Sequence, residues 1–154
     1  MPPGLLVLLI ALAVALAFGG YRALTDGRFR GTHRVRDAEP APDTAIPAAT
    51  EPASVLADTE WSGQLGERAT LLQFSSAFCA PCRATRRILS DVAEAVPGVA
   101  HIEVDAEHHL DLVRRVGVMR TPTTLVLDKT GVEVTRAAGA PRKEQVLQAL
   151  ARTE

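Results

Sequence analysis

Cys79 and Cys82 are the only cysteines of the 154-residue chain, and they stand three positions apart in the stretch SSAFCAPCRATRR. A thiol pair at this spacing suits three kinds of chemistry: reversible disulfide exchange, half of a metal site, and a small structural cross-link. Closing a loop of about four residues stabilises a chain little on the loop-entropy account. The spacing therefore favours a redox pair over a static cross-link.

A zinc site would need ligands beyond the two thiols, because structural zinc is bound by four side chains. The histidines that follow the cysteines are His101, His108 and His109. Adjacent residues of a helix point about 100° apart, so His108 and His109 cannot both bind one ion. The sequence therefore predicts neither a metal ion nor another cofactor.

The elements around the cysteines place them at the start of a helix. The apolar run ATLLQFSS, residues 69–76, predicts a buried strand. After the cysteines, apolar residues recur at helical spacing, at Ala84, Ile88, Val92 and Ala95. The first turn of a helix lowers the pKa of a thiol, which makes Cys79 the predicted nucleophile. Cys82, one turn later, is then placed to attack a mixed disulfide at Cys79.

The rest of the chain alternates strands and helices. VAHIEVD, residues 99–105, alternates as a strand does, and TTLVL and VEVTR flank residues 128–131 as a hairpin. Two further helices have predicted inward faces, which are Leu110, Val113 and Val116 in the first and Val146, Leu147 and Leu150 in the second. The predicted order is βαβαββα, which is an α/β fold with a mixed sheet flanked by helices.

The N-terminal run, residues 2–21, carries no charge, and it is long enough as a helix to span about 30 Å of hydrocarbon. We expect a transmembrane anchor over residues 1–21. A cleaved signal peptide is the main alternative, since Ala15-Leu16-Ala17 resembles a cleavage site, but no Lys or Arg precedes the apolar run. A buried helix is the third interpretation.

Residues 22–58 are expected to form a basic juxtamembrane segment followed by a Pro/Ala-rich linker. The positive charges lie after the apolar run, at Arg22, Arg28, Arg30, Arg34 and Arg36. This asymmetry favours a single-pass protein with its C-terminal part in the cytoplasm rather than exported. Prolines in residues 37–53 predict an extended linker that holds the domain, residues 59–154, away from the membrane.

Composition excludes one class of partner and allows a folded domain. The net charge is −1, and no basic stripe with interleaved aromatic residues is present, so we expect no nucleic-acid binding. The hydrophobic fraction of 47% is sufficient for a packed core. The single tryptophan, Trp61, is expected to pack at the edge of that core.

Residues 59–154 resemble the thioredoxin superfamily through three motifs. These are FCAPC at residues 78–82, RTPT at residues 120–123 and AAGAPRK at residues 137–143. The resemblance implies a thioredoxin-like fold and a thiol–disulfide oxidoreductase that reacts with protein or small-molecule disulfides. It also implies an electron donor, either a reductase or a thiol.

The same resemblance assigns residues to the site. It implies that Cys79 and Cys82 form the redox-active disulfide and that the Thr121–Pro122 peptide bond is cis and lies against Cys79. Phe78, Thr121, Pro122 and Gly139 are then expected to bind substrate, with the Thr121 backbone pairing to an extended segment.

The chain departs from the usual thioredoxin pattern at three positions. Ala80 stands where thioredoxins usually have the glycine of a Gly-Pro pair between the cysteines. Phe78 replaces the usual tryptophan, and Gln73 replaces an acidic residue that accepts the proton of the buried thiol. Without that acid, water or a more distant group such as His101 would accept the proton. A redox-inert thioredoxin-fold interaction module tethered to the membrane remains the alternative function.

Overall fold

The computed structural model describes residues 3–25, 27–31 and 53–153. Four helices and five strands occupy these residues. In chain order they are α1 (Pro3–Thr25), β1 (Phe29–Gly31), β2 (Ala69–Ser75), α2 (Ala80–Ala95), β3 (Val99–Asp105), α3 (Leu110–Val116), β4 (Thr123–Asp128), β5 (Glu133–Ala138) and α4 (Lys143–Leu150). From β2 onward the order is the predicted βαβαββα.

The strands form one mixed sheet with the order β1-β5-β4-β2-β3. Strands β2 and β3 are parallel, and the other neighbours are antiparallel. All seven residues of β2 are buried, as expected of a central strand that is covered on both faces. The predicted α/β fold with a mixed sheet flanked by helices is confirmed.

Side chains of β2 alternate between two hydrophobic clusters, one on each face of the sheet. Leu72 and Phe74 pack with α3, whereas Leu71 packs with α2 and α4. Gln73 lies between Leu72 and Phe74 in sequence, so its side chain projects to the same face as Leu71. Trp61 packs against the first cluster, as predicted.

The buried face of α2 differs from the predicted stripe. Ala84 and Ala95 are exposed. The buried residues are Cys82, Thr85, Leu89 and Val92. This face buries the large Leu89 side chain instead of the two alanines. Because Leu89 removes more apolar surface from water, α2 is rotated about its axis relative to the predicted orientation. The predicted faces of α3 and α4 also differ at one residue each: Leu110 and Leu147 are exposed, while Leu112 of α3 and Ala149 of α4 are buried.

The folded domain begins earlier than the predicted boundary at residue 59. Leu56 is fully buried in the first cluster. The Val55 N–H donates to the Gly131 carbonyl over 2.8 Å, which attaches this segment to the β4–β5 turn. The domain therefore includes residues that sequence reasoning assigned to the linker.

Strand β1 is a second departure, because it lies in the predicted basic juxtamembrane segment. Phe29 lies opposite Ala137 in the antiparallel pair with β5, and its side chain packs against the second cluster. Just before it, the Gly27 N–H donates to the Ala138 carbonyl over 3.0 Å. Gly27 has φ +73°, and a Cβ there would lie 2.2 Å from the Ala140 carbonyl oxygen, so only glycine fits. The predicted Pro-rich linker, residues 37–53, lies outside the described residues except for Ala53.

Helix α1 carries the apolar run. Its stretch Gly4–Arg22 has a mean hydropathy of 2.4, and none of it is buried against the domain. It is the one helix among the described residues with the length and composition to span a membrane. A signal sequence near an N-terminus has the same properties.

Candidate redox-active site

Cys79 lies where the chain turns from β2 into α2. It is the N-cap residue of α2, with extended backbone angles, and its N–H donates to the Ser76 carbonyl over 3.3 Å. Pro81 follows in the first turn, where the N–H that it lacks would have no helical partner. The predicted position of the cysteines at a helix N-terminus is confirmed.

The two cysteines are joined as a disulfide, with their Cα atoms 5.2 Å apart. Their surroundings differ, because Cys82 is only 2% exposed whereas Cys79 is partly exposed. The Cys82 N–H points to the Cys79 Sγ at 3.1 Å. Cys79 is therefore the more accessible cysteine of the pair, and a backbone donor is already aimed at its sulfur.

A second loop lies beside the cysteines at the same edge of the sheet. Its Thr121–Pro122 bond is cis, as the resemblance implied. The hydroxyl groups of Ser76 and Thr121 are 3.1 Å apart, which links this loop to the turn that precedes Cys79. The Gly139 N–H, at φ +100°, donates to the Pro122 carbonyl over 2.7 Å. Residues from three separate motifs therefore meet here.

Behind Cys82, a buried polar network takes the place of the usual acidic residue. The Gln73 amide nitrogen donates to the Cys82 carbonyl over 3.0 Å, which leaves the Gln73 oxygen facing His101 Nε2 at 3.3 Å. His101 Nδ1 lies 3.1 Å from the Ser90 hydroxyl. Since an amide oxygen only accepts, Nε2 carries the proton and Nδ1 accepts from Ser90.

Burial lowers the pKa of His101, and the charge of Arg86 adds to this effect while that of Glu103 opposes it. The imidazole is therefore neutral at pH 7, with its donor nitrogen toward Gln73. That nitrogen cannot accept the proton of Cys82. His101 instead orients the Gln73 amide, and this arrangement favours water over His101 as the acceptor of the Cys82 proton.

Sequence reasoning missed the charged side of the site. Arg86 and Glu103 form an ion pair, with 2.7 Å between Arg86 Nη2 and Glu103 Oε1, and this pairing raises the pKa of Arg86. Together with Cys79, Cys82 and Asp105 they line an open depression of about 310 Å³. Residue spacing could have predicted both residues near the site. Arg86 lies one helical turn after Cys82, and Glu103 shares a strand face with His101.

Two large apolar side chains stand out on the surface beside these loops. Phe78, which precedes Cys79, is fully exposed, and Met119, which precedes the Arg120–Thr123 loop, is 93% exposed. Phe78 was predicted as a binding residue, whereas Met119 was not. Among the described residues, no three His, Cys, Asp or Glu side chains are grouped as metal ligands.

Comparison with known proteins identifies the family. Residues 52–152 match the sequence profile of the thioredoxin family. The chain belongs to the thioredoxin family. The "Thioredoxin H-type" of Fagopyrum esculentum is 33% identical over 81 residues, which are 53% of this chain and 68% of that protein. A thioredoxin of Alicyclobacillus acidocaldarius is 32% identical over 87 residues, which are 56% and 82% of the two chains.

Solved thioredoxin structures share the fold. The crystal structure of spinach chloroplast thioredoxin f superposes with a TM-score of 0.54 and 23% identity, over 66% of this chain and 91% of that one.

For the H-type thioredoxins of Fagopyrum esculentum and Nicotiana tabacum, the matched part is 68% and 61% of their length. Membership of the thioredoxin family and the Cys79–Cys82 disulfide together support thiol–disulfide oxidoreductase activity.

Proposed function

We propose that this protein is a membrane-anchored thiol–disulfide oxidoreductase in which Cys79 is the nucleophile and Cys82 the resolving thiol. The observation that carries this assignment is the asymmetry of the pair. Cys79 is partly exposed at the N-terminus of α2 and receives the Cys82 N–H, whereas Cys82 is buried. A helix N-terminus and a backbone donor both favour the thiolate form of Cys79.

The reaction begins with the reduced pair. The Cys79 thiolate attacks one sulfur of a substrate disulfide, whose S–S bond breaks, and the departing substrate sulfur takes up a proton. Cys82 then loses its proton to water and attacks Cys79 Sγ, which breaks the mixed disulfide and releases the second substrate thiol. The substrate gains two electrons, and the Cys79–Cys82 disulfide forms. A reductase or a low-molecular-weight thiol restores the reduced pair.

Substrate is proposed to bind across the two loops that meet at the sheet edge. Thr121 supplies backbone groups for an extended substrate segment, and Pro122 and Gly139 keep the approach to Cys79 free of long side chains. Phe78 adds an apolar surface beside the sulfur atom. The hydrogen bonds of Thr121 to Ser76 and of Gly139 to Pro122 support this role, because they fix both loops.

The anchor and its orientation belong to the same proposal. Helix α1 has the length and hydropathy of a membrane span, and Tyr21 and Arg22 at its end are residue types typical of the interface. Arginines follow the helix, and no Lys or Arg precedes it. We place residues 1–21 in the membrane and the catalytic domain in the cytoplasm on this charge asymmetry.

Single cysteine variants test the reaction. Cys82→Ser should form stable mixed disulfides with a peptide disulfide and complete no turnover, whereas Cys79→Ser should form none. The reduced wild-type protein should convert the same peptide to its dithiol. If neither the wild-type protein nor Cys82→Ser reacts with the peptide, the redox-inert module is the better description.

A further inference from the structure

The end of helix α1 and the redox site lie on the same side of the sheet, where β2 and β5 end and β1 and β4 begin. This side is called the redox edge. Strand β1 enters the sheet directly after Gly27, which is hydrogen-bonded to Ala138 and packed against Ala140. Ala138 ends β5, and the next residue, Gly139, is hydrogen-bonded to Pro122 of the redox site. The first residues of β1 therefore share an edge with the loops that surround Cys79.

The distances along this edge are short. Three neighbour spacings separate β1 from β2 in the order β1-β5-β4-β2, which is about 14 Å at about 4.8 Å each. Thr25, the last residue of α1, is two positions before Gly27, so their Cα atoms are at most about 7 Å apart. Cys79 is thus on the order of 20 Å from the end of α1.

The long Pro-rich segment does not add to this distance. One of its ends follows Gly31 of β1, and its other end leads to Val55, which is attached to the β4–β5 turn at the opposite edge of the sheet. Both ends are therefore joined to the domain, and the connection from membrane helix to domain is the stretch between Thr25 and Gly27. This replaces the expectation that the linker separates the domain from the membrane.

We propose that the redox edge of the sheet faces the bilayer and that its substrates are disulfides presented by integral membrane proteins close to the membrane surface. This inference rests on the proposed function, because it names the substrate class of the same Cys79–Cys82 pair. Exposed Phe78 and Met119 at this edge suit contact with the apolar flank of a membrane partner, and exposed Arg28 suits the headgroup region.

Reconstituted vesicles provide the test. The reduced full-length protein is placed in phosphatidylcholine vesicles with a synthetic membrane-spanning peptide that carries a disulfide hairpin three residues from its span. A second peptide carries the same hairpin on a 30-residue Gly/Ser spacer, whose root-mean-square length is about 30 Å. We expect the near hairpin to be reduced about tenfold faster than the far one. Equal rates, or a slower near hairpin because lipid covers the site, would overturn the proposal.

Matched insertions test whether the short connection between α1 and β1 causes the faster reduction of the near hairpin. Twenty Gly/Ser residues inserted after Thr25 should bring the near-to-far rate ratio close to one, because they separate the sheet edge from the membrane. The same insertion after Pro42 should leave the ratio unchanged. If the insertion after Thr25 leaves the ratio intact, the short connection is not what directs the site.

A soluble hairpin and a maleimide peptide separate this inference from the proposed function. Failure to reduce a hairpin without any span indicates that the oxidoreductase activity itself is absent. Near and far peptides that carry a maleimide instead of the hairpin report the placement of Cys79 without turnover. Faster labelling by the near maleimide peptide supports the placement of Cys79 near the membrane, whether or not the protein reduces the soluble hairpin. Equal labelling by the two peptides rejects that placement.

Discussion

At the scale of single residues, the two sulfur atoms of the site differ in access and in hydrogen bonding. Cys79 is partly exposed and faces a backbone N–H, whereas Cys82 is 2% exposed. We therefore predict that iodoacetamide labels Cys79 of the reduced protein at least tenfold faster than Cys82, with a midpoint below the ordinary thiol pKa of about 8.5. Peptide mapping after timed labelling measures both rates. Equal labelling of the two thiols in the folded protein contradicts the assigned roles.

Gln73 leads to a prediction about proton transfer. It is fully buried and hydrogen-bonded to the carbonyl of Cys82, so a carboxylate at this position would lie beside the cysteines. Gln73→Asp should raise the pKa of the Cys79 thiol, because a nearby negative charge disfavours the thiolate. It should also speed resolution near neutral pH by accepting the proton of Cys82. The pH dependence of labelling and of mixed-disulfide decay measures these effects, and an unchanged titration in a folded variant rejects this proton path.

His101 leads to a prediction about stability. Its pKa is lowered in the folded protein, mainly by burial, whereas in the unfolded chain it is about 6.5. As the pH falls below about 6.5, the unfolded chain binds a proton at this site that the folded protein does not, so the free energy of unfolding decreases until the folded pKa is passed. Denaturant titrations of the detergent-solubilised chain at pH 5 and pH 7 should show this loss.

Histidine variants provide the control for that experiment. His101→Gln should remove the part of the pH-dependent loss that this group causes. His108 is exposed and hydrogen-bonded to Asp105, so His108→Gln should retain the loss. An equal loss of stability in wild type and His101→Gln would show that another group titrates in this range.

The sequence predicted the candidate residues of the site but not their supporting contacts. The cysteine pair, the Thr121–Pro122 loop and the absence of an acid at Gln73 all follow from local motifs. The contacts from Gln73 to His101 and from Ser76 to Thr121 join residues 28 and 45 positions apart. Such contacts depend on strand register and on the turns between elements, which residue types alone do not specify.

At the scale of elements, docking of β1 depends on one glycine. Gly27→Ala should destabilise the β1–β5 pairing by roughly 1–3 kcal/mol, because the residue has φ +73° and its Cβ would overlap the Ala140 carbonyl. Amide exchange in residues 133–138 should then become faster. Gly63→Ala is the matched control, since a Cβ at Gly63 meets nothing within 4 Å. Similar exchange in both variants would mean that β1 contributes little to the edge of the sheet.

The elements that sequence reasoning predicted are those with long apolar patterns. The strands from β2 to β5 and the helices from α2 to α4 follow from such patterns, although the buried faces of the helices differ from the predicted ones at single positions such as Leu89, Leu110 and Leu147. Strand β1 has three residues, Phe29–Gly31, in a stretch rich in arginine. Its pairing arises from the exposed edge of β5 and the backbone conformation of Gly27, neither of which produces a periodic pattern.

At the scale of the whole molecule, the charges beside α1 and the short connection to β1 act together. In the proposed arrangement, positive residues after α1 set the side of the membrane on which the domain lies, and the short connection to β1 keeps the redox edge near that surface. A domain that crossed to the other side would meet different reductants and different membrane partners. On the proposed anchoring, the orientation of the chain would therefore select the electron donor and the substrates together.

The last prediction concerns this orientation. The full chain should remain with membranes after an alkaline wash, and a reporter fused after Glu154 should be active in the cytoplasm, because no positive residue precedes the span whereas Arg22 and Arg28 follow it. Pro2→Arg and Pro3→Arg combined with Arg22→Gln and Arg28→Gln should move a measurable fraction of the reporter to the outside. The same two glutamine substitutions without the added arginines are the control, with a smaller shift expected. A mature protein that begins at Phe18 contradicts the anchor, and a wild-type reporter that is active only outside contradicts the orientation alone.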